Sequence, residues 1–599
     1  MLERRRHFND FNVLHRKPSP PGSAAEPCVV GTGGLRIRAA LIPRCVCVLG
    51  GLVVSGRLRS SLCDEVYLVL VLLWTSCSLF NLPPNRRRGL AMLRLSSPRT
   101  ACIALLAGAA LAAAVSAQSS SSCLVSQYRD SVTGECVDYR NQGEKAGADY
   151  DQNIDSGNTA WMLTASALVM IMTPGVAFFY AGLAGEEMAS NTIMMSFVSM
   201  AMVTIQFWAF GYSAAFGTHG VFGWAGYNHV GGTPSGTYGT GIPHIVYAFF
   251  QTQFAAITPA ELSGGIVGRM KFGTYLIFIF LWTSIVYEPL VYWIWSQKLD
   301  ETWSITPRGW EGSMGTLDFG GGTVIHVSGG FGALAAALMV GKRYNHGEPV
   351  KPHNVPLVMI GCTFLWFGWF GFNGGSGGAA DGIGATAAIN THLAASAGFM
   401  TWVLLEYSIS RNLDPCGAAS GAVAGMATIT PGSGYVHPWA SLIFGVVGAI
   451  TGFVAVKLKN RLRYDDTLDV FAIHGCGGFM GGLLTGLFAT SEVNPTIKGG
   501  AFYGNGMQFV YQLVANSVAA AYVFFATLAI LVVLKYTIGL RINEEKEVSG
   551  IDISYHGGLA YDYSHHGDQS EHGPKTVQFK PPETSFEAAF MKSDPAEQV

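Results

Sequence analysis

Charged side chains are scarce in this 599-residue chain, where Asp, Glu, Lys and Arg together account for 13% of the residues. Soluble proteins carry about 25%. The formal net charge of −2 and the lack of Lys/Arg blocks interleaved with aromatic residues give no indication of nucleic-acid binding. Zinc-type cysteine pairs and a Walker loop are also missing, and no nucleophile is accompanied by a general base. We therefore predict neither an enzyme nor a protein with a cofactor or a bound metal.

Hydrophobic residues take the place of the missing charges. They make up 49% of the chain, which contains 75 glycines and has a mean hydropathy of +0.31. Eleven apolar segments are each about long enough to cross a bilayer, and the eighth is the shortest. We predict an all-α polytopic membrane protein with eleven transmembrane helices, at residues 159–183, 192–216, 244–267, 273–296, 319–341, 355–378, 385–407, 417–431, 436–458, 470–490 and 509–534.

The chain before the first apolar segment divides into three parts. Residues 1–91 form an irregular, Arg-rich extension, which is either an overextended start of the gene sequence or a genuine cytosolic extension. Residues 92–117 combine a basic start, a short apolar stretch and small residues at the end, the pattern of a secretory signal peptide. Residues 118–158 would then be an extracellular tail, in which Cys123 and Cys136 are predicted to form a disulfide within one chain or between subunits.

Basic residues are distributed unevenly around the apolar segments. With the N-terminal tail outside, thirteen Lys and Arg residues lie in inner loops or near the inner C-terminus, and three lie in outer loops. This bias predicts an extracellular N-terminus, a membrane domain at 159–538 and a cytosolic C-terminal tail at 539–599. The outer residues are Lys298, Arg308 and Lys498, and the inner ones are Arg269, Lys271, Lys342, Arg343, Lys351, Arg411, Lys457, Lys459, Arg461, Arg463, Lys535, Arg541 and Lys546.

One motif occurs twice. "DFGGGTVIHVSGGF" (318–331) and "DTLDVFAIHGCGGF" (466–479) both read D-x7-H-x2-G-G-F, with His326 and His474 at matching positions. The copies fall in the fifth and tenth segments, so an odd number of crossings makes them enter the membrane from opposite sides. This is typical of an inverted five-helix repeat, which places sites near the bilayer midplane. Asp318 and Asp466 begin the two copies, where an aspartate can cap a helix.

Three interpretations of these histidines compete. Each could be a structural residue bonded to a neighbouring helix, a metal or haem ligand, or part of a paired site on a transport path. No second nitrogen or sulfur ligand follows either histidine at helical spacing, which argues against a metal or haem. The shared flanking residues favour the paired transport site, whereas the isolated His392 is interpreted as structural.

Aromatic residues cluster at the predicted outer ends of three segments. Phe250 and Phe254 are four residues apart in segment three and share a helix face. Trp295 ends segment four, and "WFGWFGFNGGS" ends segment six with Ser376. Tryptophan at such a position is most often an interfacial belt residue. The alternative is that these rings and the hydroxyl converge on a cation.

Five stretches resemble the Amt/Mep/Rh ammonium transporters, in order along about residues 159–561: "HIVYAFFQTQFAAITP", "MGTLDFGGGTVIHVSGG", "WFGWFGFNGGS", "ATITPGSGYV" and "YDDTLDVFAIHGCGG". The resemblance implies eleven helices around a pore in each subunit of a homotrimer, located in the plasma membrane and carrying ammonium or ammonia. Retention of Trp295, Ser376 and His326 implies the Amt/Mep branch of twin-histidine type. A Rh-like passive ammonia channel is the alternative, and the sequence does not decide between electrogenic transport and ammonia conduction.

The resemblance also implies roles for individual residues: an outer ammonium site, a phenyl gate, a pore pair and supporting positions. These are Phe254, Trp295 and Ser376 for the outer site; Phe254, Phe372 and Phe250 for the gate; His326 and His474 for the pore; and Asp318, Tyr287, Gln251 and Trp369 for support of the vestibule and segment five.

The stretch 539–561 resembles the family's regulatory C-terminal segment. It places Ser554 where some plant-type members carry a phosphorylated threonine, so phosphorylation there is predicted to close the pore. The tail would also suit a receptor that senses ammonium, and the sequence leaves open whether a soluble regulatory protein binds. Two inner loops depart from the family: 184–188 contains Glu186 and Glu187, and 267–269 reads Val-Gly-Arg where the family often has Ala-Glu-Arg. These departures concern gating and docking of the tail, and leave the pore residues in place.

Overall fold

The structure is a computed structural model that describes residues 46–49, 52–55, 127–129, 136–138, 154–216, 241–299, 305–347 and 351–561. Strand β1 (Val46–Leu49) pairs antiparallel with β2 (Leu52–Ser55) in a separate unit, Met1–Ser96. In the second unit, Ser97–Val599, β3 (Gln127–Arg129) pairs antiparallel with β4 (Cys136–Asp138). The predicted signal peptide and Cys123 of the predicted disulfide lie outside the described residues.

Long helices form the membrane region of the second unit. Nine of those in the described ranges are long and apolar enough to cross a membrane. They are α1 (Ser156–Leu183), α2 (Glu186–Phe216), α4 (Phe272–Trp295), α5 (Gly322–Val340), α6 (Val355–Gly375), α7 (Gly382–Ser410), α9 (Pro438–Leu462), α10 (Phe471–Phe488) and α11 (Gly506–Thr537).

Two further helices, α3 (His244–Ser263) and α8 (Pro415–Ile429), occupy the third and eighth predicted segments. Helix α8 has 15 residues, fewer than the roughly 20 that span a bilayer. Helix α3 carries polar side chains along its length, including Gln251, Gln253 and Glu261, which lower its hydropathy. The prediction of a helical membrane protein is therefore confirmed, while the number of eleven crossings and the orientation of the termini stay predictions.

Short elements connect the long helices. Between α4 and α5 lie strands β5 (Gln297–Leu299) and β6 (Ile305–Pro307), paired antiparallel, and a one-turn helix, Trp310–Met314. After α11 come two short helices, α12 (Glu544–Val548) and α13 (Ile551–His556). The all-α prediction thus misses small hairpins, because each strand has only three or four residues and carries no alternating pattern long enough to detect.

Glycines bring α5 and α10 into backbone contact. A Cβ atom added to Gly330 would lie 2.2 Å from the backbone nitrogen of Gly475, and one added to Gly478 would lie 2.5 Å from the carbonyl oxygen of Gly322. Only residues without a side chain allow helices to approach this closely. Gly322 and Gly330 lie on either side of His326, and Gly475 and Gly478 follow His474, so this crossing places the two histidines side by side.

The aspartate of each motif caps its helix. Asp318 is buried, and its carboxylate accepts four backbone N–H groups from residues 321–324 at 2.6–3.1 Å. Asp466 is also buried and accepts the N–H of Phe471 at 2.8 Å. Both helices then begin with a π-helical turn that carries the histidine, at Gly322–Val327 and Phe471–Gly475. The repeated motif is therefore a repeated structural unit of cap, wide turn and histidine.

Candidate functional site

Aromatic rings from three helices form a continuous line. Phe254 on α3 lies at the centre, with ring centroids 4.3 Å from Phe372 on α6 and 6.0 Å from Trp295 at the end of α4. Phe250, one turn earlier on α3, lies 4.8 Å from Phe254. The Phe254 and Phe372 rings are both buried, and their planes are inclined by 34°.

The indole of Trp295 is fixed by a hydrogen bond. Its Nε1 donates to the backbone carbonyl of Asp318 at 2.7 Å. The same residue caps α5 through its carboxylate, so Asp318 links the end of α4 to the beginning of α5. Asp318, one of the residues with a predicted supporting role, therefore contacts the aromatic line directly.

Ser376 ends α6, four residues after Phe372. Its hydroxyl is half-buried and donates to the carbonyl of Phe372 at 2.7 Å. A Cβ on the preceding Gly375 would lie 2.8 Å from the ring of Phe250, so the chain at this point is packed against the aromatic line. The hydroxyl oxygen keeps its lone pairs for an incoming donor, because its single hydrogen is used by Phe372.

The remaining residues with predicted supporting roles lie on three different helices. Trp369 is buried, donates from Nε1 to the hydroxyl of Thr430 at 2.9 Å, and stacks on His326 with ring centroids 5.3 Å apart. Gln251 donates to the hydroxyl of Tyr247 at 3.1 Å. Tyr287 is fully buried in the π-helical turn of α4.

The two motif histidines meet below the phenyl rings. Their Nδ1 atoms are 3.2 Å apart and their ring centroids 5.2 Å apart. His326 also stacks on Phe372, with centroids 6.0 Å apart and an angle of 21°. The side chains are buried, with 1% of His326 and 7% of His474 exposed. The line of rings therefore continues in space from Trp295 through Phe254 and Phe372 to His326 and His474.

Sequence reasoning missed a third ionisable residue at this point. Glu261 on α3 is 3% exposed, and its Oε2 lies 3.1 Å from Nδ1 of both His326 and His474. We call these three residues the pore triad. An acidic residue in an apolar segment is itself a signal of function, and "TPAELSGG" displays one. It was overlooked because the repeat that identified the histidines has no counterpart in α3.

The cavity beside the pore triad is otherwise almost entirely apolar. Tyr180 supplies a hydroxyl, which donates to the backbone carbonyl of Glu261 at 2.9 Å. Ligating atoms of the triad all lie within 4.8 Å of one another, and two imidazoles with a carboxylate are also a set of zinc-type ligands. The other residues around the cavity are Met172, Val176, Phe179, Ile257, Ile325, Leu365, Trp369, Phe372 and Val423.

On the other side of the histidines, Arg269 organises the loop between α3 and α4. It is buried, and its guanidinium donates to the carbonyls of Gly265 and Gly341, each at 2.8 Å, and to the carbonyl of Asp465. Burial lowers the pKa of Arg269 to about 10, so it remains charged at neutral pH. Burial raises the pKa of Asp465, but the nearby Arg269 and Arg343 outweigh burial and hold that pKa below its usual value.

The departure at 267–269 has a backbone reason. Gly268 has a φ of +80°, in the left-handed region that favours glycine over other residues. A Cβ at this position would also lie 2.9 Å from the sulfur of Met188. A glutamate in place of Gly268 would therefore be strained in this loop.

The C-terminal tail docks against this same face. The carboxylate of Asp552 in α13 accepts the backbone N–H groups of Ser190 and Asn191 near the start of α2, each at 2.7 Å. Burial raises the pKa of Asp552, and these two N–H groups partly offset that increase. His556 contacts the side chain of Asn191 at 2.9 Å, and Ser554 lies half-buried between Asp552 and His556 in the same helix. The tail therefore docks on the beginning of α2, directly after the departing loop 184–188.

Comparison with known proteins identifies close similarity to one family. The protein-family model named Ammonium Transporter Family matches residues 160–561. The chain is 41% identical over 469 residues to Ammonium transporter 1 of Schizosaccharomyces pombe, covering 76% of this chain and 92% of that protein. It is 42% identical over 410 residues to the Ammonium transporter of Bacillus subtilis, covering 68% of this chain and 98% of that protein.

Solved structures are similar as well. Saccharomyces cerevisiae Mep2 aligns with a TM-score of 0.60 and 35% identity, over 66% of this chain and 90% of Mep2. A structure described as a Sensor Amt Protein aligns with a TM-score of 0.61 and 27% identity, over 67% of this chain and 98% of that one.

Proposed function

The chain belongs to the ammonium transporter family, and from that premise we propose that it carries ammonium across the plasma membrane through the line of rings that ends at the histidine pair. The observation that carries the proposal is the unbroken sequence of ring contacts from Trp295 through Phe254 and Phe372 to His326 and His474. The chain's relatives are named transporters, in agreement with the prediction that it is not an enzyme.

Ammonium is selected first at the outer end of the line. Trp295 and Phe254 offer π faces, to which a cation is attracted, and the Ser376 oxygen accepts a hydrogen bond. Potassium has a similar size and charge but no N–H to donate. The Asp318 carbonyl fixes the indole, so the site is organised before the ion arrives.

The phenyl gate and the apolar cavity then discriminate a second time between ammonium and potassium. Moving a full charge through apolar surroundings is expensive, whereas a neutral ammonia molecule crosses at lower cost. Ammonium can lose a proton to become neutral, and potassium cannot. Imidazole nitrogens can accept from or donate to ammonia along the way, which gives His326 and His474 their role. The alternative is passive conduction of ammonia with the proton left outside.

Contacts of the C-terminal tail support eleven crossings. The tail contacts the loop after α1 through Asp552, the loop after α3 through the bond from Ile542 N–H to the Arg269 carbonyl, and the loop after α5 through the bond from Tyr344 N–H to Glu547. These loops must then lie on one side of the membrane. Two helices separate each loop from the next, so α3 must cross the membrane as α2 does. An even number of crossings must also separate the loop after α5 from the tail, and among the six helices α6 to α11 this requires α8 to cross as well.

We further propose that three copies assemble into a homotrimer, with the N-terminus outside and the C-terminus inside the cell. The separation of thirteen inner from three outer basic residues supports this orientation. A mass measurement of the purified protein in a mild detergent tests the trimer. N-terminal sequencing of the mature protein tests removal of residues 92–117.

Sensing is a second candidate function. A structure described as a Sensor Amt Protein aligns over 98% of its length, and the tail of this chain is docked on the inner loops, where it could report the state of the pore. Transport and sensing can coexist in one molecule. A variant that transports at the normal rate but loses an ammonium-dependent cellular response would separate the two.

Uptake in cells that lack their own ammonium transporters tests the transport proposal. We expect growth on low ammonium with the wild-type chain and at least a tenfold lower uptake for His326→Ala or His474→Ala. His392→Ala is the matched control, because His392 is exposed on α7 and bonds to Trp366, away from the line of rings. Wild-type uptake by both pore variants would contradict the proposed path.

A further inference from the structure

The pore triad contains an acid that the cavity does not neutralise. Glu261 is buried beside two imidazoles, and no Lys or Arg is among the residues that the structure describes around this cavity. A buried carboxylate without a positive partner is strongly unfavourable. The triad therefore needs one positive charge, either as a proton on one of its members or as a bound cation.

The geometry of the triad suits an exchangeable cation. If each histidine donates from Nδ1, the two N–H groups converge on Oε2 of Glu261, at 3.1 Å each. Oε1 of Glu261 and Nε2 of His326 are then left as buried acceptors, and neither has a hydrogen-bond partner among the described residues. Two orphaned acceptors beside a negative charge are an environment that favours a positively charged N–H donor.

The surrounding helix leaves space for the carboxylate. A Cβ on Gly329 of α5 would lie 2.3 Å from Oε1 of Glu261. Gly477 holds the matching position in the second motif, and its Cβ would instead be nearest the hydroxyl of Thr428, at 3.2 Å. The two halves of the repeat are therefore unequal at this point, because only the first motif accommodates an acid.

We propose that Glu261, His326 and His474 bind one monovalent cation at the centre of the pore, and that this site makes transport by this chain electrogenic. The occupant is a positively charged N–H donor, either a histidine protonated by the proton that ammonium releases or the ammonium ion itself. The inference rests on the proposed transport function and deepens it. Glu261 determines which species crosses, because its charge stabilises a cation where an apolar residue would favour neutral ammonia.

A divalent metal would fit the same ligands but not their surroundings. It would have to lose its hydration shell and pass between apolar walls on either side, whereas a proton can be delivered by the substrate. Elemental analysis of the purified protein tests whether the triad binds a divalent metal. One equivalent of a transition metal bound to wild type and absent from Glu261→Gln would overturn the monovalent site.

The ratio of charge to nitrogen transported tests the proposal. Proteoliposomes are given an ammonium gradient, and the current is measured in parallel with the nitrogen flux. We expect about one charge per nitrogen for wild type. For Glu261→Gln, which removes the charge but keeps the shape, we expect at least a tenfold lower ratio with a remaining flux of ammonia. Glu261→Asp, which restores the charge, should recover part of the current.

Glu288→Gln is the matched control. Glu288 is also a buried membrane glutamate, but it bonds to Gln206 and does not line the cavity, so its substitution should leave the ratio unchanged. An equal ratio for wild type and Glu261→Gln would overturn the cation site, as would a wild-type nitrogen flux without current. Absence of any nitrogen flux in wild type would instead contradict the transport function itself.

Infrared difference spectra of wild type minus Glu261→Gln separate the two occupants. Carboxylate and imidazolium signals that both appear when ammonium is added identify a histidine protonated by the proton that ammonium releases. A carboxylate signal that appears with ammonium but without an imidazolium signal identifies the ammonium ion. A carboxylic acid signal that ammonium does not change would overturn the proposal, because the triad would then hold no exchangeable charge.

Discussion

At the scale of single residues, Gly329 sets how closely α5 approaches Glu261. An alanine there would place its Cβ 2.3 Å from Oε1 of Glu261, which is too close for any real contact. We expect Gly329→Ala to displace the carboxylate from the histidines and to lower the charge-to-nitrogen ratio severalfold, with a stability cost of about 1–3 kcal/mol from overpacking. The same current and flux measurement checks this.

Gly382→Ala provides the comparison for that substitution. Its added Cβ would meet nothing within 4 Å, so both the ratio and the stability should remain at the wild-type level. A normal ratio in Gly329→Ala would mean that the carboxylate adapts without leaving the histidines.

We predict that Trp295 affects the apparent affinity for ammonium more than the maximal rate of uptake. Trp295→Leu removes the π face beside Phe254 and the bond to the Asp318 carbonyl. A partly desolvated cation–π contact contributes about 1–2 kcal/mol, so the half-saturating ammonium concentration should rise roughly 5- to 30-fold. The concentration dependence of uptake measures this. Trp439→Leu, at an exposed tryptophan, should leave it unchanged.

A site residue can be identified from the sequence alone when a repeated pattern marks it. His326 and His474 stand out because a whole motif is duplicated around them, and the motif aspartates proved to be helix caps. Glu261 stands alone in α3, and only the three-dimensional crossing of α5 and α10 brings it to both histidines. Contacts between distant segments cannot be predicted from a single sequence unless a repeat or a resemblance to a known family indicates them.

At the scale of elements, α13 connects the tail to the beginning of α2. Its Asp552 accepts the N–H groups of residues 190 and 191, and a second negative charge at the half-buried Ser554 would repel that carboxylate and disturb the docked helix. We expect Ser554→Asp to lower uptake severalfold and Ser554→Ala to preserve it. Uptake assays at matched protein levels check both variants.

Ser410→Asp adds the same charge at an exposed position at the end of α7 and should transport normally. Protease sensitivity of the tail gives an independent readout, because an undocked α13 is cleaved faster. Wild-type uptake by Ser554→Asp would remove the case for phosphoregulation at this serine.

Arg269 holds together three segments that connect the helices. Its guanidinium bonds to carbonyls of residues 265, 341 and 465, and truncation would leave these buried acceptors unpaired. We expect Arg269→Ala to destabilise the protein by about 3–5 kcal/mol, measured as a lower unfolding temperature in detergent. Arg461→Ala, at an exposed arginine of α9, should have little effect. An unchanged unfolding temperature for Arg269→Ala would show that water replaces these bonds.

The helices themselves were the most predictable part of the fold, because long apolar runs have few alternatives in a membrane. The π-helical turns that carry both histidines were not predictable, since one extra residue in a turn leaves no mark in an apolar pattern. The same holds for the three-residue strands between α4 and α5. Hydropathy therefore predicts where the long helices lie, but not the local backbone geometry at the site.

At the scale of the whole molecule, topology depends on whether α3 and α8 cross the membrane. With eleven crossings and an outer N-terminus, the loop after α5 is cytosolic. With nine crossings, from which α3 and α8 are missing, the same loop lies outside while the C-terminus stays inside. Tyr344 in this loop is 50% exposed and its backbone N–H bonds to Glu547 of the tail, which requires the loop and the tail to share a side.

Cysteine labelling on intact cells therefore distinguishes the two topologies. In a background with its natural cysteines replaced, we expect a membrane-impermeant maleimide to label Tyr344→Cys only after the cells are permeabilised. Lys498→Cys, at an exposed position in the loop between α10 and α11, should be labelled without permeabilisation, and the exposed Lys546→Cys in α12 should behave like Tyr344→Cys. Labelling of Tyr344→Cys but not of Lys546→Cys on intact cells would refute eleven crossings. It would also separate this loop from the tail, because a contact cannot span the bilayer.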